Sequence, residues 1–280
     1  MDLTRLPRSM ICPRCRRLIG REERTCPHCG LSAPGRLRLW WWAARWIESP
    51  EALLRVLIWT NGAFFVLALV LSAGRVHLSA NPLTFLAPDN WSLLRLGASG
   101  TLPIDRLGRW WTLISAGYLH GGLLHLFFNL AALNQIGRLI LREYGVHRML
   151  AIYTGGAAAG FWASYLAGVV LTIGASAGLC ALVGAALYYG RRRGGVYGQA
   201  VYRQTSGWIV GLILIGLMPG INNWAHGGGL AAGAALAHGL GYLERRAESR
   251  FDRWLGPAVI LLTVLVLGWA LVNAFFLRPV

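Results

Sequence analysis

Residues 120–129 read H-G-G-L-L-H-L-F-F-N and lead into an apolar run that continues to about residue 141. Two later apolar runs also open on polar residues: residues 174–177 read G-A-S-A, and residues 223–229 read N-W-A-H-G-G-G. Polar groups inside such runs are costly to bury in a membrane, so they usually serve a function. These three openings therefore decide both the fold class and the chemistry that the sequence predicts.

The composition around these openings is that of a membrane protein with several spans. Of the 280 residues, 55% are hydrophobic and 14% are charged, whereas soluble domains have about 25% charged residues. This composition excludes a disordered chain and disfavours a soluble helical bundle. Seven apolar runs lie at about 52–73, 123–141, 149–171, 174–190, 206–219, 223–243 and 256–276. Because about 20 residues cross a bilayer as a helix, each run is predicted to be a transmembrane helix.

The placement of arginine predicts the orientation of these helices. All 27 basic residues are Arg, and they concentrate before the first run and after the second, fourth and sixth runs. Since cytoplasmic connections are enriched in Arg and Lys, we expect a multi-pass protein of the inner (plasma) membrane with a cytoplasmic N-terminus. The net charge of +16 is then explained by the arginines that orient the helices in the lipid bilayer. No nucleic-acid partner is expected. Runs two, four and six all begin near the outer surface.

Four of the five cysteines form two C-x-x-C pairs, Cys12 with Cys15 and Cys26 with Cys29. Two pairs at this spacing are typical of a closed tetrahedral thiolate site, which predicts a structural zinc ion in a zinc ribbon. Disulfides or uncoordinated thiols are the alternatives, and a reducing cytoplasm disfavours disulfides. We expect a short hairpin within residues 16–25, between the two pairs.

These patterns divide the chain into three parts. Residues 1–37 are predicted to form a cytoplasmic zinc ribbon with its linker, and residues 52–280 the transmembrane domain. Between them, residues 38–51 begin R-L-W-W-W-A-A-R-W-I-E, which predicts a Trp- and Arg-rich segment at the membrane interface. The alternative for this stretch is that it forms the first turns of a longer span.

The three polar openings, in this order on alternate runs, resemble those of the rhomboid intramembrane serine proteases. The likeness covers about residues 52–243 and includes G-R-W-W-T at residues 108–112. It implies an all-α polytopic fold, a six-helix bundle to which the seventh run adds one C-terminal transmembrane helix. It also implies cleavage of single-span membrane proteins near the outer membrane face, with no cofactor for catalysis.

The resemblance implies that Ser176 is the nucleophile and His226 its base. A serine needs a neighbouring base to take its proton, and small residues around His226 would let the fourth and sixth helices approach closely. No Asp or Glu lies within the seven apolar runs. The sequence therefore predicts a Ser-His dyad and not a Ser-His-Asp triad.

Four further residues receive supporting roles from the resemblance. His125 and Asn129 lie one turn apart on one helix face, where both can donate hydrogen bonds to an oxyanion, together with the backbone N–H of Ser176. Gly174 would allow a tight entry into the fourth helix. His120 is implied to have a supporting, water-retaining role.

Two positions depart from the family pattern and leave a second interpretation open. Ala177 replaces the glycine that usually follows the serine, and its methyl group would narrow the oxyanion site. Cys180 replaces an aromatic residue that usually packs against the histidine. The alternative function is therefore a catalytically inactive rhomboid-like protein that binds membrane helices without cleaving them. A transporter is disfavoured, because no Asp or Glu lies inside the apolar runs to form an ion path.

Overall fold

The computed structural model describes residues 9–12, 17–20, 23–30, 50–72, 74–78 and 85–276. The chain divides into two compact units, Met1–Leu53 and Leu54–Val280. We label the long helices of the described residues α1 to α7: Pro50–Ser72, Leu123–Tyr144, Val146–Leu166, Ser176–Arg193, Gly195–Gly216, Asn223–Leu240 and Arg250–Phe276. The predicted all-α polytopic fold is confirmed.

The first unit contains a small hairpin around the first cysteine pair. Strand β1, Ser9–Ile11, pairs antiparallel with β2, Leu18–Gly20. Within the stretch of the predicted hairpin, residues 16–25, strand β2 pairs with residues before Cys12. The two paired strands hold the ends of the intervening loop together with backbone hydrogen bonds. In this arrangement Ile19 is buried with Cys12 and Cys26. Cys15 lies outside the described residues, and so do the predicted linker and residues 38–49 of the predicted interfacial segment.

Among the described residues, three helices are long and apolar enough to cross a membrane by length and composition: Ala52–Ser72 within α1, then α2 and α7. Helices α3 to α6 are of similar length, 18 to 22 residues, but they are richer in small and polar residues. Helices α3, α4 and α6 pack closely against one another, where glycine and alanine allow the backbones to approach.

Three helices begin or end at least five residues from the predicted bounds, and one of them is α7, which begins at Arg250 and not at residue 256. The third run was predicted to reach residue 171, but α3 ends at Leu166 and the chain turns at Gly168, whose φ is +79°. The fifth run was predicted to begin at residue 206, but α5 begins at Gly195. Its polar first half is helical because Val201 and Thr205 are buried where α5 packs against α4.

The segment between α1 and α2, here called the outer segment, contains several short elements. Strands β3 (His77–Leu78) and β4 (Phe85–Ala87) pair antiparallel. They are followed by a helix at Asn90–Arg95, a π-helical turn at Leu102–Arg106, a helix at Thr112–Ser115 and a 3₁₀ turn at Ala116–Tyr118. Asp89 begins the first of these helices by accepting hydrogen bonds from the backbone N–H groups of residues 91 and 92. The outer segment is therefore folded along its second half.

Helix α4 is the centre of the second unit and packs against α2, α3, α5 and α6. Its closest neighbours approach through glycines. A Cβ atom at Gly229 of α6 would clash with the carbonyl group of Ala177, and one at Gly233 would clash with that of Ala181. These contacts fix the position of α6 along the axis of α4. This position determines which residues of the two helices lie side by side in the site described below.

Helix α7 is held at both ends by polar contacts. At its start, the carboxylate of Asp252 lies 2.9 Å from the guanidinium of Arg148 on α3, and both side chains are almost fully buried. Near its end, the amide of Asn273 donates a 2.7 Å hydrogen bond to the carbonyl of Arg95 in the outer segment. The seventh helix therefore connects the outer segment at one end with α3 at the other.

Candidate active site

Ser176 and His226 lie next to each other at the starts of two neighbouring helices. Ser176 is the first residue of α4, and His226 lies in the first turn of α6. Nε2 of His226 is 2.8 Å from Oγ of Ser176, within hydrogen-bonding distance. Because Ser176 is the first residue of α4, its backbone N–H has no acceptor within the helix. This N–H group therefore lies at the N-terminal end of α4, beside the Ser176 side chain.

The loop before Ser176 is pinned to the outer segment by backbone hydrogen bonds. The N–H of Gly174 donates to the carbonyl of Ala116 over 2.9 Å. Two residues earlier, Thr172 pairs antiparallel with Ser99, with N–O distances of 3.0 and 2.7 Å. The position of the serine therefore depends on the outer segment as well as on α4.

Asn222, which was not among the predicted site residues, connects this loop to the helix that carries His226. Its Oδ1 accepts a 3.1 Å hydrogen bond from the N–H of Ala225 at the start of α6. Its Nδ2 donates to the hydroxyl groups of Ser164, at 2.6 Å, and Thr172, at 2.8 Å. An Asn just before a predicted helix is a recognisable cap, but its contacts with Ser164 and Thr172 depend on the tertiary fold.

His125 presents its Nε2 edge to the serine. The backbone N–H of Gly121 donates a 3.3 Å hydrogen bond to Nδ1 of His125, so the neutral ring carries its proton on Nε2. A Cβ atom built on Gly174 would lie 3.0 Å from this Nε2 and 3.4 Å from Oγ of Ser176. The missing side chain at Gly174 thus leaves open the space between a ring N–H donor and the hydroxyl group.

Asn129 follows His125 by one turn of α2 and is buried, with 6% of its surface exposed. Its Nδ2 has no hydrogen-bond partner within the described chain. Buried amide groups are nearly always satisfied, so an orphaned donor on the helix face of His125 indicates a place for an acceptor that a ligand would bring.

His120 is fully buried and lies behind His125. The two rings meet edge to face, with their centroids 5.1 Å apart. Neither ring nitrogen of His120 has a partner in the part of the chain that the structure describes. The side chain therefore contacts His125 and makes no hydrogen bond to Ser176 or His226.

No carboxylate of the described residues is bonded to His226, whose buried Nδ1 has no partner there. Helices α2 and α7 do contain Glu143 and Asp252, because both helices extend beyond their apolar runs. Glu143 accepts a 2.8 Å hydrogen bond from Tyr197, and Asp252 pairs with an arginine. Glu143 lies 18 residues after His125, about 27 Å along α2, so it is at the far end of the helix.

Helix α3, which carries none of the predicted site residues, forms a third side of the site. A Cβ atom at Gly156 would clash with Ala181, and one at Gly160 would lie against the carbonyl of Ala225, the residue before His226. The spacing of Gly156 and Gly160 is the small-xxx-small pattern of closely packed membrane helices. This pattern in the sequence could have indicated that α3 packs against the helices of the site.

Ala177 and Cys180, which depart from the family pattern beside the serine, are both buried. Ala177 is buried in a cluster with Ala157, Phe161 and Ala225, and its methyl carbon would lie 3.3 Å from a Cβ atom on Gly160. The methyl group is therefore packed against α3. Cys180 is also fully buried within α4.

A separate cluster in the first unit could hold a metal ion. The sulfur atoms of Cys12, Cys26 and Cys29 all lie within 4.8 Å of one another, and those of Cys12 and Cys29 are 3.7 Å apart. A tetrahedral site with metal–sulfur bonds of about 2.3 Å needs sulfur atoms about 3.8 Å apart. The three described cysteines therefore fit a single thiolate-bound ion.

Comparison with known proteins gives one consistent result. The chain is similar to RHOMBOID-like protein 4 of Arabidopsis thaliana, with 32% identity over 56% of this chain and 40% of that protein. It is 33% identical to Rhomboid protease GluP of Bacillus subtilis (strain 168), over 57% of this chain and 31% of the relative. Inactive RHOMBOID-like protein 8 of Arabidopsis thaliana is 27% identical, over 54% and 44%. The chain thus spans less than half the length of each of these relatives. Residues 107–243 match the Rhomboid domain, and the chain belongs to the rhomboid family.

Proposed function

We propose that this protein is an intramembrane serine endopeptidase that uses Ser176 and His226 as a catalytic dyad. The observation that carries the proposal is the 2.8 Å contact between Oγ of Ser176 and Nε2 of His226. Nucleophilic catalysis by serine requires a base within hydrogen-bonding distance of the hydroxyl group, and His226 is placed at this distance from Ser176. The family includes a relative named as a protease, which supports the same activity.

In this mechanism, Nε2 of His226 takes the proton of Ser176 as Oγ bonds to the carbonyl carbon of the scissile peptide. The carbonyl oxygen becomes an oxyanion, which accepts hydrogen bonds from Nε2–H of His125, Nδ2 of Asn129 and the backbone N–H of Ser176. His226 then gives its proton to the leaving amine as the C–N bond breaks. Water hydrolyses the resulting acyl-enzyme with His226 again as base, which regenerates the serine.

The proposed substrates are single-span membrane proteins cut near the outer membrane face. A helical peptide bond is shielded by its own hydrogen bonds, so the substrate must unwind locally before Oγ can reach its carbonyl. Water must enter from the outer side, because hydrolysis consumes it. The exposed connection between α5 and α6, at residues 218–220, is the proposed gate.

The zinc ribbon and the orientation remain part of the proposal. The cysteine cluster of the first unit supports a structural zinc ion held by Cys12, Cys15, Cys26 and Cys29, with no role in the peptide cleavage. The clusters of arginine support a cytoplasmic N-terminus in the inner (plasma) membrane. Neither assignment is needed for the chemistry of the dyad.

The alternative is a rhomboid-like protein that binds membrane helices without cutting them. The similarity to a relative named as inactive keeps this alternative open, together with Ala177 and Cys180. The packing of Ala177 against α3 favours the protease, because its methyl group leaves the space beside Ser176 open.

A fluorophosphonate probe distinguishes the two functions. The protein in detergent is incubated with the probe, and mass mapping identifies the labelled residue. If the protein is a protease, the probe should label Ser176 in the wild type and should not label the His226→Ala variant. Neither His226→Ala nor Ser176→Ala should cleave a single-span reporter substrate. An unlabelled Ser176 in the folded wild-type protein, with no cleavage, would establish the inactive alternative.

A further inference from the structure

A cleft of about 210 Å³ lies between α2 and α5, well away from Ser176. Its polar lining includes Gln135, Arg138 and Arg142 of α2 and Gln204 of α5. Arg138 follows His125 by 13 residues, about 20 Å along the helix, so the cleft lies towards the arginine-rich end of the bundle. The catalytic mechanism uses none of these residues.

The charge of the cleft favours an anion. The guanidinium of Arg138 contacts only the amide oxygen of Asn134 within the described chain, at 2.8 and 3.2 Å, and is otherwise exposed. Arg142 is partly neutralised, because it lies 2.9 Å from Glu143 and also donates to the hydroxyl of Tyr197. Glu143 therefore offsets the charge of Arg142, whereas no carboxylate of the described residues pairs with Arg138, and the cleft keeps an excess positive charge.

The rest of the lining suits a lipid rather than a small soluble ion. Helix α5 packs against α4 and makes little contact with α2, so the cleft opens sideways towards the bilayer. Leu139 and Ile136 supply an apolar wall, and Trp208 lies on the facing side. Tryptophan is the residue that marks the level of lipid headgroups, and basic pockets between membrane helices bind acidic headgroups.

We propose that this cleft binds the phosphodiester headgroup of an anionic phospholipid. Arg138 and Arg142 hold the phosphate oxygens, and the amides of Gln135 and Gln204 donate to the headgroup. The acyl chains lie along the apolar gap between α2 and α5. The site is independent of the proposed protease activity.

Two variants with matched controls test the site in lipid nanodiscs that contain equal amounts of phosphatidylglycerol and phosphatidylcholine. Arg138→Gln removes the cation, and Gln204→Glu adds an anion. Arg192→Gln makes the first charge change on an exposed arginine outside the cleft. Gln199→Glu makes the second on α5, five residues before Gln204 and about 140° around the helix.

Native mass spectrometry of the protein ejected from the discs gives the ratio of the two bound lipids. The wild type should retain phosphatidylglycerol in preference. Arg138→Gln should lower that preference about fivefold, the effect of one basic residue near an anionic membrane surface, and Gln204→Glu should lower it at least as much. Both control variants should stay within twofold of the wild type. Equal losses in the controls, or no preference in the wild type, would overturn the proposal.

A second arm separates the lipid from free phosphate. In discs of phosphatidylcholine alone, millimolar inorganic phosphate should leave the thermal unfolding temperature unchanged. Discs with phosphatidylglycerol should raise it for the wild type but not for Gln204→Glu. If inorganic phosphate alone gives the same stabilisation, the assignment to a lipid headgroup is wrong.

Discussion

At the scale of single residues, the site is defined by donors that have no acceptor within the described chain. Nδ2 of Asn129 is buried without a partner, and Nε2–H of His125 lies at the edge of the open space beside Gly174. Both groups are held before any substrate arrives. Such preorganised donors stabilise charge that develops in the transition state without a reorganisation cost at the moment of reaction.

Asn129→Ala should lower kcat by about 10²–10³-fold, the usual effect of removing one oxyanion donor. His125→Ala should act in the same direction, and the double variant should lose less than the product of the two effects, because both donors serve one oxygen. Steady-state cleavage of a single-span reporter in liposomes measures this. An increase in KM alone, with kcat intact, would contradict the oxyanion assignment.

Gly174→Ala should nearly abolish cleavage while leaving the protein folded. Its φ is +128°, so any side chain is strained there, and a Cβ atom would also occupy the space between His125 and Ser176. Gly168→Ala is the matched control, because Gly168 has a φ of +79° with no atom near its Cβ position. Both variants should lose about 1–2 kcal/mol of stability, but only Gly174→Ala should lose kcat. Equal kcat values for the two would refute the steric role.

The residues of the proposed dyad and its donors could be predicted because each interrupts an apolar run with a polar group. Ser176, His226 and Asn129 stand out in this way from the sequence alone. Asn222 does not, because it lies outside the run and its two hydroxyl partners come from α3 and from the loop before α4. Contacts between distant parts of the chain leave no periodic pattern in the sequence.

At the scale of helices, hydropathy predicted the number and order of the long helices but not all their bounds. Residues 167–171 are as apolar as the end of a span, yet they form a loop, because their backbone groups bond to residues 101 and 102 of the outer segment. The first half of α5 is polar, yet it is helical against α4. Hydropathy reports burial or contact with lipid, and it does not distinguish a helix from a paired loop.

Gly229→Ala should lower both stability and activity, because its Cβ atom would clash with the carbonyl of Ala177, next to Ser176. Overpacking of this kind costs about 1–3 kcal/mol, and displacement of α6 would lengthen the Ser–His contact. Gly227→Ala makes the same change two residues earlier, where no atom lies within 4 Å of the Cβ position. Thermal unfolding and kcat should be near wild type for Gly227→Ala. Similar losses in both variants would show that the clash with Ala177 is not responsible, since a change from Gly to Ala by itself favours a helix.

At the scale of the whole molecule, the second unit depends on one buried ion pair. Besides Asp252, Arg148 donates to the carbonyl groups of Gly241, Arg246 and Ala247 at 2.8 to 3.2 Å. One guanidinium thus satisfies the loop between α6 and α7 as well as the start of α7. Such a group is costly to remove, because its partners remain buried without a donor.

Arg148→Met should therefore destabilise the protein by about 3–5 kcal/mol, the range for breaking a buried pair. Asp252→Asn should cost less, since the amide oxygen still accepts from Ser249. Arg193→Met removes an arginine from a more exposed pair with Glu244 and should have a much smaller effect. Denaturant unfolding in detergent measures all three. A loss for Arg148→Met no greater than that for Arg193→Met would contradict the structural role.

The first unit should bind one zinc ion per chain, as measured by elemental analysis of the purified protein. Cys26→Ser should reduce the zinc content to less than half an equivalent, because a ribbon this small depends on its full set of ligands. Cys180→Ala should keep the full equivalent, since Cys180 lies within α4, outside the cluster. Zinc below half an equivalent in the wild type would exclude the predicted site.

The attachment of α7 at its two ends has a consequence for the timing of biosynthesis. A ribosome makes α7 after the other six long helices, so Asn273 reaches Arg95 only when the rest of the domain has already been inserted. Until then, the outer segment that borders the Ser176 loop lacks this attachment. A nascent chain therefore holds its active-site loop less firmly until α7 has been translated.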